Sequence, residues 1–257
     1  MYVIKWALKK LLPLVFYRPV STFYSALVRK RQLSQWKDLQ HLSPSEAFGM
    51  IYREEMWGDQ KGDANVYYSG GGSHKEEIVG PYVTAMDNFV KSCGQKLDAV
   101  DLGCGDFAVG GRTRHLFNSY NACDAVESII VRNTELFKNS NVNFSVTDLT
   151  TEELPHGDIA IIRQVLQHLS NNHIKAIIPK LYEYKYVLVT EVLPKNLDFT
   201  PNEDIPTGFL TRLAFRQKDS SGVVVTQPPF NLKVRDSKTL CEVEVDVGVI
   251  KTILYVL

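Results

Sequence analysis

The period of the hydrophobic pattern changes near residue 97. Before it, apolar residues recur at helical spacing: Phe48, Ile51 and Tyr52 share one side of a segment, and Ile78, Tyr82, Met86, Phe89 and Val90 share one side of another. Ser43-Pro44-Ser45-Glu46 combines a capping box with proline at the first helical position, so a helix is predicted to start at Ser43 and a second to run over 74–93. Between them, residues 57–73 read WGDQKGDANVYYSGGGS, polar and glycine-rich, and predict a loop with the composition of a lid.

From Leu97 onward short apolar runs alternate with helical patterns, the signature of βαβ units feeding a parallel sheet. Strands are predicted at 97–102, 121–126, 142–147, 158–162 and 186–192, with helices at 111–118, 127–138 and 172–182. Beyond Pro201 the alternation stops. Residues 222–227, 240–245 and 249–256 read as strands without intervening helices, so the sheet is expected to end in an antiparallel hairpin. The expected fold class is α/β: a Rossmann-like, doubly wound, mostly parallel sheet with a C-terminal antiparallel hairpin and an N-terminal helical extension. The boundaries drawn from this pattern are an arm at 1–42, a helical cap with its lid loop at 43–95, and a ligand-binding domain at 96–257.

With 44% hydrophobic and 23% charged residues over 257 positions, the chain can bury a globular core. Its 29 basic and 29 acidic residues cancel, which leaves no global charge argument for a nucleic-acid partner. The distribution is uneven, however: Lys5, Lys9, Lys10, Arg18, Arg29, Lys30, Arg31 and Lys37 occur within residues 1–37 with no acid among them. No apolar run there reaches the roughly 20 residues that cross a bilayer. Interleaved with these cations, Trp6, Leu11, Phe16 and Phe23 allow two readings, an amphipathic arm packed on its own domain or a peripheral contact with a membrane surface. Cys93, Cys104, Cys123 and Cys241 have neither CxxC spacing nor a zinc-like arrangement with histidine, so no disulfide framework or metal is expected and a reducing cytoplasm fits.

The candidate chemistry begins at Ala99-Val100-Asp101-Leu102-Gly103-Cys104-Gly105-Asp106, an acid and then a glycine turn at the carboxyl end of the first parallel strand, where doubly wound sheets bind ligands. Side chains at Gly103 or Gly105 would hold a cofactor off the backbone. Gly103-Cys104-Gly105-Asp106-Phe107-Ala108 also satisfies a relaxed dinucleotide fingerprint, so a nicotinamide-dependent oxidoreductase is a competing reading. Asp124, about 20 residues on at the end of the second strand, can accept both ribose hydroxyl hydrogens of either cofactor. Asp148, at the end of the third, can accept an adenine amino hydrogen, which favours S-adenosylmethionine.

Taken in order, DLGCGD, ACDAV, VTDL and IIRQVLQHLS resemble the class I S-adenosylmethionine-dependent methyltransferases over about 97–192. The resemblance implies that Asp101 with the Gly103 and Gly105 backbone holds the methionine end, Asp124 the ribose, and Asp148 with Leu149 the adenine. Cys104, Ala125, Arg163 and Gln164 complete the candidate cofactor contacts. Phe107 stands where many members carry a third glycine. The loop at 57–73 and Gln227-Pro228-Pro229-Phe230-Asn231-Leu232 are similar to segments of bacterial methyltransferase-like proteins of glycan and polysaccharide biosynthesis. That likeness implies O-methylation of a sugar, glycan or glycolipid intermediate. A scaffold that keeps the fold without transfer is the non-enzymatic alternative.

Methyl transfer to a hydroxyl can use a neutral imidazole to take the proton. His168, following the fourth strand, is the candidate catalytic base. Gln167 beside it and Trp57, Tyr68, Ser69 and Ser73 of the loop are the candidate acceptor-binding residues. No role is assigned to the remaining histidines.

Overall fold

The computed structural model describes residues 41–58, 67–196, 198–215 and 221–257. The expected basic arm, including its membrane contact, and the middle of the lid loop lie outside the described residues. Leu42–Leu257 forms one compact unit.

The short apolar runs form the centre of a seven-stranded sheet. Strands β1 (Ala99–Leu102), β2 (Tyr120–Asp124), β3 (Asn143–Val146), β4 (Ile159–Arg163) and β5 (Tyr186–Leu193) pair in parallel, while β6 (Asp236–Val245) and β7 (Gly248–Val256) close one side. The order is β3-β2-β1-β4-β5-β7-β6, with β7 antiparallel to both neighbours. Ala99, Ile159, Ile161 and Leu188 enter one core with Tyr82, Met86 and Phe89. Val100, Leu102, Ala160, Ile162, Val187 and Val189 enter the other with Ile174, Ile177 and Leu181. Burial of both faces is why these strands read as nearly continuous apolar runs.

Four helices carry most of the covering surface: α1 (Pro44–Arg53), α2 (Glu76–Ser92), α3 (Glu127–Leu136) and α4 (Asn171–Ile177). The reciprocal Ser43–Glu46 box starts α1 as expected, contributing about 1 kcal/mol. Helix α2 begins at Glu76, two residues later than predicted, because residues Gly71–His74 form a separate helical turn. Helix α4 tightens into a 3-10 turn, Ile178–Glu183, at Pro179, which has no N–H to continue the ladder.

One predicted strand is absent. Residues 222–227 are irregular because the Asn202 side chain takes the place of a neighbouring strand: it donates to the carbonyls of Val224, Gln227 and Pro228 and accepts from the Val224 N–H at 2.8 Å. Val223 and Val225 are nevertheless buried, which explains the strand-like pattern.

Candidate active site

The strand order reverses between β1 and β4, and the crevice at the carboxyl ends of these strands is where an open α/β sheet binds ligands. Here it holds a cavity of about 310 Å³, at the lower end of typical ligand pockets. Asp101, Gly103, Cys104, Gly105, Asp124, Ala125, Asp148, Leu149, Arg163 and Gln164 all line it, as do Trp57, Ser69, Ser73, Gln167 and His168. Tyr68 is the exception. Its ring stacks on His74, with centroids 4.5 Å apart, and is not part of the lining.

The glycine turn is tight. Gly103 has φ 82°, and a Cβ there would lie 2.6 Å from Val165 Cγ2; Gly105 has φ 55°, and its Cβ would meet Ser69 Oγ at the same distance. Phe107 keeps the left-handed backbone that glycine adopts easily, at φ 61°. Its fully buried ring packs edge-on against Tyr120, Phe137 and Phe144, and that burial offsets the backbone strain. The turn is also held from outside: Asn133 Nδ2 donates to the Gly105 carbonyl at 2.7 Å and Arg132 to that of Asp106 at 3.3 Å.

Carboxylates surround this end of the cavity. Burial pushes Asp101 up to about 7, against the Tyr120 hydroxyl that donates to it at 3.0 Å and the nearby Arg163 charge. Burial also raises Asp124, although its two oxygens accept the Gly105 and Val126 N–H groups, each at 3.0 Å. For Asp106 burial works in the same direction but is outweighed by His74 and by the Ala108 and Ser69 amides, which hold it low. Asp148 Oδ1 accepts from the amide and hydroxyl of Thr150.

Segment 67–74 is fastened over the crevice from two sides, by the loop after β1 and by the end of β4. The Ser69 N–H donates to Asp106 Oδ2 at 2.8 Å, and His74 Nε2 lies 2.7 Å from the same oxygen. Arg163, at the end of β4, donates to the Gly72 carbonyl at 2.6 Å and reaches Ser73 Oγ at 3.4 Å, with its guanidinium over the Tyr82 ring. Much of Arg163 is therefore committed to this segment, and burial lowers its pKa. Only its buried Nε lacks a hydrogen-bond partner.

The opposite end is aromatic. Trp57 packs near Phe48, Tyr52 and His168, with ring centroids 5.0–6.0 Å apart, and donates its indole N–H to the Phe209 carbonyl. Tyr52, predicted as a core residue, lines the cavity, and its hydroxyl lies 3.0 Å from Ser69 Oγ. Ser45 ties α1 to the Ala125 carbonyl at 2.7 Å. Behind the site, the buried Glu191 accepts the Leu166 and Gln167 N–H groups, and Arg212 donates to the Leu166 and Leu169 carbonyls and to Asn171 Oδ1. None of these supporting residues has a motif; their partners are far away in sequence. Among the described residues there is no cluster of histidine, cysteine and acids placed for a metal, and no helix is long and apolar enough to cross a membrane.

No family model and no curated relative matches the sequence. Among solved structures, the chain is similar to the N-methyltransferase NodS from Bradyrhizobium japonicum WM9 in complex with S-adenosylhomocysteine. The TM-score is 0.55 at 10% identity, covering 80% of this chain and 98% of that one. It is also similar to magnesium protoporphyrin IX methyltransferase ChlM from Synechocystis PCC 6803 with bound S-adenosylmethionine, at TM-score 0.49 and 13% identity over 84% of this chain and 97% of that one. The N-terminal domain of EvdMO1, in the presence of S-adenosylhomocysteine and D-fucose, aligns at TM-score 0.49 and 12% identity with the same coverage. The likeness to NodS shows a shared fold.

Proposed function

We propose that this protein is an S-adenosylmethionine-dependent methyltransferase that O-methylates a sugar, glycan or glycolipid intermediate. The observation that carries the reading is the acid-rimmed glycine turn at the switch point, opening onto an aromatic end that carries Gln167 and His168. A ligand bearing both an ammonium and a sulfonium suits such a rim, because it compensates the Asp101 and Asp124 carboxylates, whose ionised forms burial disfavours. The S-adenosylhomocysteine held by NodS, on the same fold, agrees with this.

The bound cofactor supplies a methyl group already activated on a positively charged sulfur. Asp101 binds the ammonium, and the Arg163 guanidinium, which lines the cavity, balances the charge of the methionine carboxylate. Asp124 accepts from the ribose hydroxyls through lone pairs left by its two amide donors. Asp148, with Leu149, faces the adenine, and Cys104, Ala125 and Gln164 form the adjoining walls. Trp57 gives an apolar platform for a sugar face, while Ser69, Ser73, Gln167 and His168 give the polar contacts that orient a hydroxyl for in-line attack. The segment at 67–74 keeps water from the reacting atoms.

A dinucleotide fits less well. The helical turn after the glycines is only four residues, Gly110–Thr113, and the buried Asp106 carboxylate precedes it, where a pyrophosphate needs donors. The antiparallel β7 beside β5 also departs from the all-parallel dinucleotide order. Calorimetric titration with S-adenosylhomocysteine and with NAD separates the two readings: heat with the first alone is expected, and heat with NAD alone overturns the proposal. Radiolabelled methyl transfer to a panel of methyl glycosides and lipid-linked sugars then tests the acceptor class. Liposome sedimentation with and without residues 1–37 decides between the two readings of the basic arm, packing on its own domain and a peripheral contact with a membrane surface.

A further inference from the structure

The loop after β3 closes on itself and is tied to the rest of the fold by one polar side chain. Within it the Asp148 N–H donates to Glu152 Oε2 at 2.7 Å, and the Thr151 and Glu152 N–H groups donate back to the Asp148 carbonyl. Among the described residues, every hydrogen bond that joins residues 148–152 to a separate element comes from Lys180 Nζ. It donates to the Leu149 carbonyl at 2.8 Å and to the Glu152 carbonyl at 2.6 Å. Lys180 lies in the 3-10 turn Ile178–Glu183 after α4. Tyr184, which follows that turn, fixes the same stretch of chain further on by donating to the Pro155 carbonyl at 2.6 Å.

Lys180 acts on the cavity through one peptide plane. The Leu149–Thr150 peptide is planar, so anchoring its carbonyl oxygen also directs its N–H. That N–H donates to Asp148 Oδ1 at 2.8 Å, and the Thr150 hydroxyl donates to the same oxygen at 2.6 Å. Oδ1 is thereby occupied, while Oδ2 accepts no hydrogen bond from the described residues. Asp148, Leu149 and Thr150 all line the cavity. A carboxylate held by one oxygen presents the other as an acceptor, and an acceptor there separates a base with an amino group from one with an oxo group. Because the lysine is charged, its bonds to the two carbonyls are stronger than neutral ones, which makes it a firm anchor.

We infer that Lys180 is a positioning residue that makes the site selective for adenine: by holding the Leu149–Thr150 peptide it sets the Asp148 carboxylate so that Oδ2 accepts from the 6-amino group. Lys180 itself touches no ligand. The nature of the ligand rests on the S-adenosylmethionine reading; the link from Lys180 to Asp148 does not.

Calorimetric titration with S-adenosylhomocysteine and with S-inosylhomocysteine, whose 6-oxo group cannot donate, tests this. The wild-type protein is expected to prefer the adenine compound by about tenfold or more. In Lys180→Met the affinity for S-adenosylhomocysteine is expected to fall about tenfold and that for S-inosylhomocysteine by less than about threefold, so the preference collapses. Lys180→Arg, which keeps donors for the carbonyls, is expected to retain it. Equal losses for both compounds mean a merely structural lysine and overturn the inference, as does an unchanged ratio. If Lys180→Met fails to fold, Lys180→Gln reads the same ratio. Amide hydrogen exchange without ligand tests the link by itself: Thr150 is expected to exchange about tenfold faster in the variant than in the wild type, with the strands unchanged. Unaltered exchange at Thr150 overturns the link. No binding of either compound to the wild type, with Thr150 exchange accelerated as expected, overturns only the S-adenosylmethionine reading and the adenine selectivity built on it.

Discussion

Ser69 and Asp106 grip each other across the glycine turn: the Ser69 N–H donates to Asp106 Oδ2 at 2.8 Å, and the Asp106 N–H donates back to Ser69 Oγ at 3.0 Å. This reciprocal pair joins the covering segment to the glycine turn at the end of β1, so closing one organises the other. Removing the carboxylate in Asp106→Ala takes away the acceptor of the Ser69 and Ala108 amides and breaks the contact with His74. At about 1 kcal/mol or more for each lost bond, S-adenosylhomocysteine affinity is expected to fall about tenfold or more. Calorimetry measures the affinity, and limited proteolysis around Tyr68 reports the loosened segment. Ser69→Ala, which keeps its backbone N–H, is expected to cost only a few-fold.

Asp101 gives the site a pH dependence of known sign. Burial keeps its pKa near 7, whereas a cationic ligand needs the ionised form. Cofactor affinity is expected to climb as the pH rises through about 7, by up to about tenfold per unit below that point, and then to level off. Asp101→Asn should flatten the profile measured by titration at a series of pH values.

The unliganded protein responds in the opposite direction. A group whose folded pKa is raised contributes stability that is complete below its unfolded pKa and is lost as the pH rises through the folded one. Asp101 imposes this loss around 7 and Glu191, pushed by burial to about 8, repeats it higher. The thermal midpoint without ligand is expected to drop from about pH 6 to about pH 8.5. S-adenosylhomocysteine should restore more of it at the upper end, because binding ionises Asp101; a midpoint that rises over this range contradicts the assignment.

Glu191 and Arg212 hold the same turn by its opposite backbone groups, amides by the acid and carbonyls by the guanidinium. Glu191→Gln puts an NH₂ against one of two buried N–H donors, a cost of about 1–3 kcal/mol. For a chain of this size that lowers the midpoint by roughly 2–4 °C per kcal/mol, readable in a calorimetric scan.

At Gly105 an alanine meets two obstacles, a positive φ and the Ser69 hydroxyl 2.6 Å from its Cβ. Gly105→Ala is expected to weaken S-adenosylhomocysteine binding severely, while the circular-dichroism spectrum keeps its α/β form.

The central parallel strands were legible because β1, β4 and β5 bury both faces, which writes an apolar run into the sequence; β4 and β5 fall within a residue of their predicted limits. Asp101, Asp124 and Asp148 were legible because strand ends put them where the crevice lies. What was hidden lacks a local signature. Val223 and Val225 look like strand residues, but Asn202 satisfies their neighbourhood through side-chain bonds. His74 carries no spacing signal, yet it meets Asp106 across 32 positions of chain. Arg163 lines the crevice at the end of β4, but its bonds to Gly72 and Ser73 depend on a glycine-rich turn whose path no periodicity records.

The reversed strand β7 has a bearing on how the chain assembles. It sits between β5 and β6, so from Leu193 until Gly248 is made, β5 has an unpaired apolar flank. Open strand flanks of that kind recruit other chains. Crowded synthesis should therefore punish this protein at one stage above all, and slowing translation between those two positions is expected to raise the insoluble fraction even though no residue of the finished molecule has changed.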